Sequence, residues 1–196
     1  MTLRNLTQTL MKKIFLFLFA LALVMPASFG QMTKKEARAK ARAEKKAARA
    51  AAEAANAAVV KKLIEDRHFV LEATFLADKT GRRISVTPTL NFIMVEKDKA
   101  TFQFGGGSQV GYNGVGGVTM DGNVQNYKYK VDKKGVYHLS FQISTSLGTI
   151  FVSMTIMPAT SRADATVQGT GGKKLYYTGE IVPPEKSRVY KGSTIN

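Results

Sequence analysis

Cysteine is absent from the 196-residue chain, and histidine occurs only twice, at His68 and His138. The missing thiols exclude disulfides, thiolate zinc sites, iron–sulfur clusters, cysteine nucleophiles and a lipid on a mature N-terminal cysteine, so stability must come from packing. His68 opens a strand and His138 shares the polar side of another with Ser140 and Gln142, so neither has a second imidazole at metal-ligand spacing. A serine triad would need one of them as its base, and no G-x-S-x-G elbow occurs; Gly107-Ser108 sits in glycine-rich context without one. Carboxylates are also few, 14 Asp and Glu against 29 Lys and Arg. Glu72 and Glu180 project with the polar residues of their strands, where water or salt bridges satisfy them. A glycosidase-type pair, whose members can lie far apart in the chain, is the one catalytic arrangement left open. The chain reads as non-enzymatic, with no catalytic residue, no metal site and no cofactor.

Long hydrophobic runs are missing too. Ile14 to Met25 supplies about a dozen apolar residues, short of the roughly 20 that a spanning helix needs. Within MKKIFLFLFALALVMPASFG, Met11 to Gly30, that run follows Lys12 and Lys13 and precedes the small residues Ser28 and Gly30, the three parts of a secretory signal. The expected cut falls between Gly30 and Gln31, with Met11 as an alternative start and an uncleaved anchor as the alternative fate. This pattern implies a periplasmic or secreted location.

From Met32 to Lys62, glycine and proline disappear and alanine, lysine, arginine and glutamate remain, so one long helix is expected. Thr33 and Glu36 have the spacing of a capping box. Large apolar residues come only at Val59, Val60, Leu63 and Ile64, so the early turns have nothing to bury and the last turns can dock on the downstream domain. Met32 to Ala58 carries eight Lys or Arg against three Glu, net +5 of the formal +15. Such an arm suits a solvated spacer or an anionic surface, through a screened and salt-sensitive attraction. Nucleic acid is disfavoured because no aromatic platform is interleaved with the charges, and a coiled coil with alanine at nearly every core position would be weak without a partner helix.

From Arg67 onward the apolar period is two. Phe69, Leu71, Ala73 and Phe75 share one face, then Leu90, Phe92 and Met94, then Phe102 and Phe104. Beyond a glycine-rich stretch, Tyr127, Tyr129 and Val131 oppose Lys128 and Lys130. Tyr137, Leu139, Phe141 and Ile143 align next, followed by Ile150, Val152, Met154 and Ile156. Ala163, Ala165 and Val167, then Leu175, Tyr177 and Ile181, complete the series. Alternation with turns every eight to twelve residues predicts an all-β fold, an antiparallel meander barrel or sandwich of about eight strands, three before the glycines and five after. The expected organisation is a signal peptide over 1–30, a helical arm over 31–64, an all-β domain over 65–192 and a tail over 193–196, with PPEKSRVYKGSTIN as a strap over the sheet or a loose end.

The glycine stretch FGGGSQVGYNGVGGVTMDG, Phe104 to Gly122, lacks the G-x-G-x-x-G spacing of a dinucleotide site and the Gly-Lys-Ser/Thr of a phosphate loop. It is expected to be bent, bulged β structure or a lip at the sheet edge. Tyr112 and Asn113, between Gly111 and Gly114, are the candidate ligand contacts.

The succession NGVGGVTMDGNVQNYKYKVDKKGVYHLSFQIS, then ADATVQG, LYYTGEIVP and SRVYKG, resembles a family of small exported proteins of gut and environmental Gram-negative bacteria, defined as a domain of unknown function. The resemblance spans roughly Glu65 to Gly192. It implies an all-β, lipocalin-like body behind a signal peptide or lipoprotein signal, and this chain lacks the lipoprotein cysteine. The expected role is a binding module of the envelope for a small apolar ligand, a glycan or another envelope component. The alternative is an assembly protein that uses its basic helix on a partner helix or anionic surface.

Overall fold

The computed structural model describes residues 33–106 and 114–194. Helix α1 runs from Lys34 to Glu65. Its capping box forms: the Thr33 amide donates to Glu36 Oε2 at 2.8 Å, and the Glu36 amide donates to Thr33 Oγ1 at 3.3 Å. Two of the first free amides are satisfied this way, and the Thr33 hydrogen bonds hold the Glu36 carboxyl below its ordinary value. Through Ala47 the helix is exposed on every side and constitutes a unit of its own, separate from the body that starts at Ala48. Among the described residues, no helix is long and apolar enough to cross a membrane.

The body is one antiparallel sheet of nine strands. They are β1 (His68–Ala77), β2 (Arg83–Ser85), β3 (Phe92–Glu96), β4 (Lys99–Phe104), β5 (Val118–Val131), β6 (Tyr137–Thr145), β7 (Gly148–Met157), β8 (Arg162–Gly169) and β9 (Lys174–Val182). From β3 to β9 each strand pairs with the next in the chain, and β9 returns to β1, closing a barrel of eight strands with β2 as an extra. Closure settles barrel against sandwich, and it removes the open edges an eight-stranded meander would otherwise carry. Four strands, not three, precede the glycine stretch, because β2 is a short strand between β1 and β3.

The inward residues of β6 to β9 follow the alternation. Leu139, Phe141, Ile143, Val152, Met154, Ile156, Ala163, Val167, Tyr177 and Ile181 are all buried. Two expectations are corrected. In β1 the phase slips at Thr74: pairing with β9 shifts register between Ala73 and Phe75, a β-bulge, so Leu76 turns inward and Phe75 outward. Arg83 covers the displaced ring, its guanidinium carbon 3.8 Å from the centroid. Opposite the bulge, a Cβ on Gly179 would stand 1.9 Å from the Glu72 carbonyl oxygen, so only glycine fits there. In β3, Ile93 and Val95 enter the core cluster in place of Phe92 and Met94, and Leu90 belongs to a 3-10 turn, Pro88–Leu90. Phe92 is nonetheless fully buried, on the outer side, between Glu72 and Gln103.

Side chains fill the lumen: Phe69, Leu71, Ile93, Leu139, Met154 and Tyr177 are each nearly inaccessible. The last turns of α1 complete this core with Val60, Leu63 and Ile64. Asn56 Nδ2 donates to the Pro158 carbonyl and to Ser161 Oγ, both at 2.8 Å, and the Tyr127 hydroxyl donates to the Ile64 carbonyl at 2.7 Å. These bonds seat the helix end at the β7–β8 turn, on the end of the barrel where β1 begins. Tyr129 and Val131 are about half exposed because β5 runs on after its β4 partner stops, opposite Asn123.

Ile64→Ala should therefore lower unfolding stability by about 2–4 kcal/mol in urea, as a core truncation does, whereas Val59→Ala, on the exposed side of the same helix, should change it by less than about 0.5 kcal/mol.

Candidate functional site

The end of the barrel away from the helix seat is built on a division in its wall. The first half of β1, His68 to Glu72, pairs with β3, and its last three residues pair with β2 instead. The wall therefore splays where β2 departs from β3. Asn91, wholly buried, staples the gap: its Nδ2 donates to the carbonyls of Thr87 at 3.0 Å and Gly105 at 3.2 Å, and its Oδ1 accepts from the Gly105 amide at 3.0 Å. Across the opening the chain re-enters from the glycine stretch, where the Gly106 amide donates to the Val115 carbonyl at 2.8 Å. Gly117 passes so close to β4 that a Cβ there would lie 1.9 Å from the Phe104 carbonyl oxygen. What results is a cleft of about 330 Å³ with Leu76, Ile84, Val86 and Phe104 as its apolar walls and glycine backbone as its lip. Ile84 is 56% exposed, an apolar side chain held at the rim by a strand of three residues.

The C-terminal segment is a strap. After β9 it turns at Pro184–Lys186 and crosses the outer face of β1, β3, β4 and the start of β5. Ser187 Oγ donates to Glu72 Oε1 at 2.6 Å, and the Tyr190 amide donates to the Thr89 carbonyl at 2.8 Å. Buried Gln103 clamps the strap: its Nε2 donates to the Leu90 and Tyr190 carbonyls, and its Oε1 accepts from the Gly192 amide and Thr119 Oγ1. Asp121 takes the end, accepting from Lys191 Nζ at 2.6 Å, Thr194 Oγ1 at 2.9 Å and Thr101 Oγ1 at 2.6 Å. The resemblance-bearing segments GVGGVT and SRVYKG thus meet through Thr119, Gln103 and Gly192, in a structural clamp.

Tyr112 and Asn113 lie outside the described residues, as do Gly30 and Gln31. The described ends of the glycine stretch are bends and strand, Phe104 closing β4 and Val118 to Gly122 opening β5. His68 Nε2 lies 2.7 Å from Glu185, and His138 Nε2 lies 3.3 Å from Asp132. Glu72 and Glu180 are register partners across β1 and β9, yet they serve differently: Glu72 anchors the strap and Glu180 is exposed. Among the described residues, no three His, Asp or Glu gather as metal ligands would. Asn91, Gln103, Asp121 and Ile84 carry no signal in the sequence that marks them out. In FQF, Gln103 shows only the pattern of an outward position, and nothing local announces that a strap will cover it.

Burial works to raise the Asp121 carboxyl, but the hydrogen bonds from Lys191, Thr101 and Thr194 outweigh it and hold the group below its ordinary value. A depressed native value stabilises the fold above the unfolded carboxyl range, about pH 4, and that contribution is lost as pH falls through the native value. Asp121→Asn should cost about 1 kcal/mol at pH 7, solvent screening the half-exposed side, with the difference from the parent chain shrinking in urea titrations as pH falls below about 4 and through the native value.

These features define a class: a closed, side-chain-filled meander barrel, helix-seated at one end and apolar-lipped at the other. The chain belongs to the family DUF4251, a domain of unknown function, which it matches over residues 51–181. That range begins inside α1, consistent with helical turns that are part of the core, and ends before the strap. The fold is also that of a DUF4251 family protein from Bacteroides eggerthii, known from a crystal structure at 1.95 Å resolution. The two share 28% identity and a TM-score of 0.58, over 69% of this chain and 94% of the other. No curated protein matches the sequence.

Proposed function

We propose that this is an exported, non-enzymatic envelope protein whose barrel works as a binding module in a lipocalin-like manner. The ligand is a small apolar molecule held at the lip, since side chains already occupy the lumen. The observation that carries the reading is the cleft between Ile84, Val86, Leu76 and Phe104, apolar on its walls and open to solvent through Ile84. A ligand burying ~250 Å² of apolar surface at ~25 cal/mol/Å² gains about 6 kcal/mol before the costs of association, so the expected Kd is no tighter than about 10–100 µM. Titration with the neutral fluorophore N-phenyl-naphthylamine should show saturable binding, weakened at least about tenfold by Ile84→Asp, a charge the apolar cleft cannot satisfy. Absence of saturation, or an unchanged affinity in Ile84→Asp, would remove the lip as the site.

Export rests on the Met11 to Gly30 pattern, and the basic arm supports a second reading. Lys34 to Ala47 is exposed throughout and carries seven Lys or Arg against two Glu, a surface suited to anionic envelope components in a structural or assembly role. Fractionation of the native host should find the chain outside the cytoplasm, beginning at Gln31, held to envelope fractions at low ionic strength and released by salt. A cytoplasmic chain that retains Met1 or Met11 would overturn export. Retention that survives deletion of residues 33–47 would overturn the role of the arm.

A further inference from the structure

The strap leaves the outer face of β6 to β8 uncovered, and that face is not uniform. In register across the sheet, Gln142, Phe151 and Gln168 form one row, and Lys128, Ser140, Ser153 and Thr166 form the next. Between and around them lies a groove of about 530 Å³, larger than the cleft at the lip and sharing none of its residues. Phe151 stands in this groove 46% exposed, on the side of β7 that faces away from the core, with an amide on each flanking strand. Asn126 Nδ2 donates to Gln142 Oε1 at 3.2 Å, which fixes one of those amides.

The chemistry of the lining selects among occupants. A lone outward phenylalanine is ordinary on a protein surface, but here it is ringed by groups that both donate and accept hydrogen bonds, repeated across strands at ~4.8 Å, the scale of one sugar ring. The groove contains Lys128 and no carboxylate. The adjoining hollow of about 280 Å³ adds Lys130 and His138, again without a carboxylate in its lining. His138 is turned to Asp132, so the lysines are the cations available to a ligand. Single-stranded nucleic acid would want several cations tracking the phosphates and successive stacking rings. Two lysines and one outward ring, set among hydroxyls and amides, fit a polyhydroxylated ligand bearing isolated negative charges; the hollow's Tyr129 packs instead against the core residue Tyr137, ring centroids 6.0 Å apart.

We propose that the groove of β5 to β8 binds an acidic oligosaccharide. One sugar ring rests its apolar face on Phe151, its hydroxyls bond to Gln142, Gln168 and the Ser140–Ser153–Thr166 row, and a uronate carboxylate on the neighbouring unit meets Lys128 and Lys130. The site is independent of the lip.

Calorimetric titration of the full chain with tetragalacturonate tests this. Saturable binding is expected, weakened about tenfold by Phe151→Ala and by the pair Lys128→Ala with Lys130→Ala, and unchanged by Ile84→Asp. All these side chains are on the surface, so circular dichroism of the variants should match the parent. No saturable binding, or an affinity indifferent to Phe151→Ala, overturns the proposal. Equal affinity for neutral maltotetraose overturns the acidic assignment, and tighter binding of oligothymidylate overturns the saccharide in favour of nucleic acid.

Discussion

The pairing of β1 with β9, and the one extra residue it contains, governs the rest of the structure. Bringing the first strand back to the last closes the sheet, and closure forces the interior to be filled from every strand at once. The bulge at Thr74 then turns the final three residues of β1 by one position, so that Leu76 joins the interior while Phe75 leaves it. Gly179 is the complement of that bulge, the one residue small enough to let Glu72 and Ala73 approach. Past the bulge β1 no longer runs beside β3, and β2 takes the place β3 would have held. The splayed lip is therefore a consequence of how the barrel closes.

Each end of such a barrel needs a cover for its apolar interior, and the two ends solve this differently. One takes the last turns of α1, which contribute Val60, Leu63 and Ile64 to the core and are held by hydrogen bonds from Asn56 and to the Ile64 carbonyl. The other is drawn in by glycine backbone and the Asn91 staple, which permit close approach, and among the described residues a cleft remains between β2 and β4. That asymmetry places the apolar cleft at the glycine end.

The outer surface divides just as clearly. Over β1, β3 and β4 the strap converts outward positions into a second, smaller buried layer, where Phe92, Thr101, Gln103 and Thr119 find cover or partners. Its polar members are fully engaged, as burial demands. Over β6 to β8 no strap lies among the described residues, and Phe151 stands 46% exposed in a groove of hydroxyl and amide side chains, of which Gln142 is already bonded to Asn126. Two regions of one outer face, built from the same alternation, thereby differ in cover because of where the last dozen residues travel.

Much of this was written locally. Alternation alone named the inward residues of β6 to β9, uninterrupted alanine, lysine and glutamate predicted α1 down to its Thr33–Glu36 cap, and the apolar quartet ending at Ile64 announced that the helix would dock. Those features depend on neighbours within a turn of helix or a pair of strands, so composition and period suffice to specify them. The inward set of β1 and β3, the choice of strap over loose end and the residues the strap crosses were decided only by the tertiary structure. Phe69, Leu71, Ala73 and Phe75 form an unbroken period of two, and only the register with a strand a hundred residues away shows that Leu76 replaces the last of them. Gln103 and Asp121 likewise look like solvated outward residues until the chain's end is laid across them. Hydrogen bonds between distant segments set phase and cover, and a one-residue slip that reverses a side chain leaves no trace in local sequence.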